Sequence, residues 1–87
     1  MTVIEQFAKH LSTSSPNTVA AYTADLRRIL EHLPGTTLDS ASAAALQRAL
    51  SLSVAGARPS TAMRRYQAAR RFCAWRRPDV QLEAPTD

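Results

Sequence analysis

The sequence predicts an all-α protein, a small bundle of four or five helices. Three observations predict it. Apolar residues recur at i, i+3, i+4 and i+7 in several stretches of the chain. Proline stands at two helix starts, Pro16 and Pro59, where its missing N–H does no harm. Alanine is abundant, glycine numbers only two, and Val and Ile are few, a mix that favours helix over sheet. The 87 residues suit one small domain with one modest core.

The first helix is expected over residues 3–12, with Ile4, Phe7, Ala8 and Leu11 on one side and the hydroxyls of Ser12 to Ser15 breaking it. Ser15 as N-cap and Pro16 at the first position start the second helix. Its stripe is Val19, Tyr22, Leu26, Ile29, Leu30 and Leu33, and Pro34-Gly35 ends it. Asp25 with Arg28, and Arg27 with Glu31, are expected to pair on its wet side. After a connector at Thr36 to Leu38, Asp39 or Ser40 is expected to cap a third helix reaching about Leu52. Ala43, Leu46, Ala49 and Leu50 face inward there, and a loop follows around Gly56. The fourth helix opens at Pro59 and stops before Pro78. Its inner stripe is Ala62, Tyr66, Ala69, Phe72 and Cys73. Ser60, Arg64, Gln67 and Arg71 share the opposite side, flanked by Thr61, Arg65 and Ala68. The expected core is Phe7, Val19, Tyr22, Leu26, Ile29, Leu30, Leu46, Leu50, Tyr66, Ala69 and Phe72. Residues 78–87, with two Pro and three acids, read as a linker or frayed tail, which puts the domain at 1–77.

The formal net charge is +4, unevenly spread. Residues 1–43 carry three basic against four acidic groups, and residues 44–87 carry eight against three. Arg58 to Arg77 alone holds seven of the ten arginines and no acid. Such a face repels itself unless an anion is near, and a polyanionic partner is the direct reading. The remaining chemistry is sparse. One cysteine excludes an internal disulfide, and Cys73 reads as a buried apolar group. His10 and His32 on separate helices give no metal-ligand spacing. Tyr22 and Tyr66 lie on apolar stripes and read as core rather than nucleophiles. No catalytic, metal or cofactor motif is present. No apolar run approaches the roughly 20 residues of a membrane span, and no signal peptide is visible, so an intracellular protein with no membrane partner is expected. One echo remains open: shifted so that Pro16 falls on Pro59, Thr18, Arg27 and Arg28 fall on Thr61, Arg70 and Arg71. It reflects either common helix-start chemistry or two helix N-termini facing one ligand.

Ser15, Thr18, Tyr22, Asp25 and Leu26, followed by Pro59, Thr61, Arg64, Arg65, Arg70, Phe72 and Trp75, carry a resemblance. In order and spacing they resemble the SAM-like core-binding domain at the N-terminus of tyrosine recombinases and phage-type integrases, the group that includes the Xer recombinases. The resemblance covers about residues 3–85. Two positions depart from the pattern: Arg58 stands where Ser often caps the fourth helix, and Ala84 replaces the usual Asn before Pro85. The resemblance implies that the second and fourth helices cross at the major groove of double-stranded DNA. It implies that strand cutting belongs to a separate catalytic domain of the same parent protein, so that this chain is no enzyme by itself. It also implies recombinase protomers as partners on DNA, and a bacterial or phage-encoded protein of the cytoplasm, associated with the nucleoid.

Side-chain chemistry then divides the work. Asn17, Ser60, Arg64 and Gln67, polar heads near helix starts, are assigned to base edges. Thr18, Thr61, Arg65, Arg71 and the amides near both prolines are assigned to phosphates, and Arg70 to an acid on the domain's own surface. Two alternatives stand beside this reading: a stand-alone helical DNA-binding regulator and a helical protein-interaction module. A helix-turn-helix would need a shorter turn than Leu52 to Arg58.

Overall fold

The apolar stripes fold into four helices, and a computed structural model describes residues 1–85. They are α1 (Val3–His10), α2 (Pro16–Leu30), α3 (Ala43–Ser53) and α4 (Pro59–Arg76), with no strand among the described residues. Each start has its own chemistry. Thr2 and Glu5 form a capping box at α1: the Thr2 hydroxyl accepts from the Glu5 amide at 3.2 Å, and the Thr2 amide donates back to the Glu5 carboxylate. Ser15 caps α2 by accepting from the Thr18 amide at 3.2 Å, with Pro16 at the first position. Ser42 caps α3, accepting from the Ala45 amide.

That last cap corrects the expectation of Asp39 or Ser40. Residues 38–41 are instead held as a turn with Leu38 and Ala41 buried, so the helix begins after it. The Ser40 amide there donates to the Thr37 hydroxyl. α2 also ends earlier than expected. Its last turn tightens into i→i+3 bonds from His32 to Ile29 and Leu33 to Leu30, and Gly35 takes φ 76°. Leu33 is buried all the same.

α2 is the central element, packed against α1, α3 and α4. Phe7, Leu26, Ile29, Leu46, Leu50, Ala69 and Phe72 are buried as expected. Val19, Tyr22, Leu30 and Tyr66 are only half-buried and pack against the edge of the core. Ala68, expected on the flank of α4, is fully buried. Phe7 meets Phe72 edge-on at 5.6 Å between centroids. Trp75 covers this end of the core, with His10 stacked on it at 5.0 Å.

Residues 78–85 do not fray. Val80 is buried in the core and Leu82 packs beside it. The Gln47 amide ties the segment down twice, donating to the Glu83 carbonyl at 3.1 Å and accepting the Glu83 amide at 2.8 Å. The Cα radius of gyration, 11.9 Å, equals the value of about 12 Å for a compact chain of this length, which fits a docked segment rather than an extended one. The part of the expected tail at residues 86 and 87 lies outside the described residues. None of the described helices is long and apolar enough to cross a membrane.

Candidate nucleic-acid interface

The outer side of α4 carries Ser60, Arg64 and Arg71, all exposed, with Gln67 half-buried between them. Their spacing of three or four residues keeps them on one line along the helix. No acid lies on α4. Its start is uncapped: Arg58 makes no capping bond, and the amides of Ser60 and Thr61 have no partner among the described residues. Two free N–H groups at the positive end of the macrodipole, with Arg58 beside them, favour an anion. The start of α2 differs. Asn17 is exposed, but the Thr18 amide and hydroxyl are both engaged by Ser15.

The arginines of α4 do not act alike. Arg64 and Arg65 both bind Asp25 of α2, which is 1% exposed. Arg64 does so with two parallel bonds of 2.9 Å, the strong fork geometry. Arg65 points inward, its side chain 11% exposed, and also donates to the Ser53 carbonyl at the end of α3. Arg76 grips Asp39 through two bonds. Arg77 donates to the carbonyls of Leu38, Asp39 and Ala41 and pairs with Asp79. The neighbouring carboxylates hold Arg64 and Arg76 further into the charged form than an ordinary arginine. Arg58 and Arg70 have no ion-pair partner among the described residues. Among the described residues Arg71 is held only by the Tyr22 ring, 5.7 Å from its centroid.

This sorting corrects three expectations. Asp25 is not on the wet side of α2 with Arg28; it is buried, and Arg28 pairs with Glu31 at 3.7 Å. Arg27 makes no ion pair with Glu31 among the described residues. The acid foreseen for Arg70 is not beside it; the acids of this surface go to Arg64, Arg65, Arg76 and Arg77. Part of the charge that looked self-repelling in α4 is thus neutralised inside the domain.

The Cys73 thiol is buried, and burial pushes its pKa up, so it is a poor thiolate. No cluster of three or more metal-ligating side chains exists among the described residues.

The family model for the phage integrase N-terminal SAM-like domain matches residues 4–77. The chain belongs to that family. It is also 37% identical over 90 residues to the tyrosine recombinase XerC of Mycobacterium leprae, covering 97% of this chain and 30% of that protein. The chain thus spans under a third of the length of the curated relative it matches. No solved structure matches it significantly. Within this integrase domain, Asp25 and Arg77 are the two side chains whose importance the residue pattern concealed. A signal for Asp25 was present: it follows Tyr22 by three and precedes Leu26 on the inward stripe, one position from where a solvated acid belongs.

Proposed function

We propose that this integrase domain binds double-stranded DNA with the outer side of α4 and the start of α2, as one arm of a tyrosine recombinase. The cutting and joining of strands would then belong to a separate catalytic domain of the same parent protein, reached beyond the segment 78–85 that packs on this domain. The observation that carries the reading is the acid-free line Ser60–Arg64–Gln67–Arg71 on an exposed helix face, beginning at two unbonded amides. That the relative from Mycobacterium leprae is a tyrosine recombinase supports it.

On this reading Asn17, Ser60, Arg64 and Gln67 meet base edges. Arg71, Thr61 and the amides of Ser60 and Thr61 hold phosphates, while Thr18, its amide and hydroxyl both engaged by Ser15, is the weaker contact. Arg65 serves from beneath, holding α3 and α4 to Asp25. Recombinase protomers on neighbouring half-sites, and a place beside the nucleoid in the cytoplasm, follow from the same reading.

Fluorescence anisotropy with duplex DNA at two salt concentrations tests it. Expected is affinity of about micromolar or weaker at physiological salt, because one arm of a clamp lacks the effective concentration that a linked second arm provides. The affinity falls steeply as salt rises. Absence of binding to any duplex at low salt removes the DNA reading and leaves a protein-interaction module. Nanomolar sequence-specific binding by the monomer favours a stand-alone regulator.

A further inference from the structure

The Asp25 carboxylate is 1% exposed and its two oxygens are unequally used. Oδ1 accepts from Arg65 Nε at 3.2 Å and from Arg64 Nη2 at 2.9 Å; Oδ2 accepts only from Arg64 Nε, at 2.9 Å. Arg64 therefore spends one edge of its guanidinium, the Nε–Nη2 edge, on Asp25. A guanidinium has five N–H donors in a rigid fork. Three of Arg64's, on Nη1 and the outer side of Nη2, have no partner among the described residues, and its side chain is 47% exposed. The Nη1–Nη2 edge is itself a two-donor fork of the kind that fits guanine O6 and N7.

We infer that Asp25 is a positioning residue for DNA recognition: from inside the domain it fixes Arg64 so that its second fork edge is presented outward to a base. The inference rests on the DNA-binding reading above and deepens it. An unrestrained arginine must lose its side-chain freedom when it binds; one already locked onto a buried carboxylate has lost it in the free protein. Arg65 makes the lock rigid, because its bonds to Asp25 and to the Ser53 carbonyl fasten the carboxylate to α3 and α4 together. Arg71 lies on the same face and provides the contrast. Resting only over the Tyr22 ring, it is free to follow a phosphate. One helix thus carries a locked arginine that selects and a loose one that attracts.

The test uses the full chain and a duplex selected by it from a random pool, against a scrambled duplex, across a salt series. Asp25→Glu keeps the charge but moves the carboxylate outward by one methylene, so it displaces the fork without removing the ion pair. Expected is a loss of about tenfold in affinity for the selected duplex, within what a bidentate base contact discriminates. Affinity for the scrambled duplex stays within about twofold, since the phosphate contacts are untouched. In an Arg64→Ala background the same change has no further effect on the ratio of the two affinities. A ratio unchanged by Asp25→Glu overturns the inference, as does a ratio lowered equally with and without Arg64. Arginine side-chain NMR of the unsubstituted chain needs no variant to fold. On adding the selected duplex, the Arg64 Nε–H signal keeps its Asp25-bonded position while Nη1 shifts; loss of that position on binding overturns the inference. If the unsubstituted chain prefers no duplex at all, the DNA reading itself has failed, which is a different result from a preference indifferent to Asp25.

Discussion

Arg71 and Arg77 stand less than two turns apart on the same basic run, and the structure holds them very differently. Arg77 Nη1 lies 2.9–3.1 Å from three carbonyls, those of Leu38, Asp39 and Ala41, and its side chain is 16% exposed. These bonds close the turn that buries Leu38 and Ala41 before α3. Removing the guanidinium leaves that turn's carbonyls without their charged donor, a loss of about 2–4 kcal/mol. A chain of this length has roughly 4–13 kcal/mol of stability in total. Arg77→Ala should therefore lower the melting temperature by roughly 10–25 °C. Arg71 is exposed and rests only over Tyr22, an interaction of about 0.5–1 kcal/mol, so Arg71→Ala should move the melt by a few degrees. On DNA the order reverses. Arg71→Ala should weaken binding to all sequences alike and reduce the salt slope by about one. Arg77→Ala, assayed at a temperature where it is folded, should leave the slope unchanged. The assays are thermal melts by circular dichroism and anisotropy across a salt series. Equal destabilisation by the two changes, or an equal fall in salt slope, would falsify the division of the arginines into structural and ligand-facing sets.

Three further outcomes are expected. Leu26→Ala removes a side chain 1% exposed at the centre of α2 and should destabilise by about 2–5 kcal/mol in a urea melt. Val80→Ala should destabilise by about 1–2 kcal/mol, while the exposed neighbour Gln81→Ala stays within about 0.5 kcal/mol; equal melts for the two would mean that residues 78–85 do not belong to the folded body. Stability should fall in acid as Glu5 and Asp79 are protonated. The Thr2 amide and hydroxyl hold Glu5 below its ordinary 4.5, and the Arg77 guanidinium holds Asp79 below its ordinary 3.8. Because both folded values are depressed, this stabilisation is present above the ordinary values and disappears as pH falls through the depressed ones, below about 4. Urea melts of a Glu5→Gln, Asp79→Asn double variant should show a shallower decline over that window than the unsubstituted chain.

The helices were legible because each is a local matter. Periodicity marks the buried side within one turn, and Ser15-Pro16 and Pro59 fix starts through backbone chemistry that needs no distant partner. The misplaced start of α3 shows where this stops. Asp39 and Ser40 are sound caps by type, but Leu38 and Ala41 are drawn into the core and Arg77 binds the carbonyls between them, so the helix waits for Ser42. The tail fails for the same reason. Its composition describes a linker, yet Val80 in the core and the Gln47 amide on α3 hold residues 78–85 against their polar bias.

The site was legible as a face and not as a set of roles. Helical spacing places Ser60, Arg64, Gln67 and Arg71 together whatever they do, and three of the four are exposed. Spacing cannot say which arginine already holds an anion, because the partners, Asp25, Asp39 and the carbonyls of residues 38–41, are supplied by other elements more than thirty positions away. An arginine run with no acid in its own helix has two resolutions: an anion from outside, or acids from neighbouring helices that the fold turns inward. In this chain the fold supplies the second for Arg64, Arg65, Arg76 and Arg77. Asp25 has no reason to lie inside a small core except to bind Arg64 and Arg65, since an unpaired carboxylate there would be strongly destabilising. Arg58, Arg70 and Arg71, which find no such acid among the described residues, are the charges left over for a ligand, and that remainder rather than the total of seven is the electrostatic argument for a polyanion.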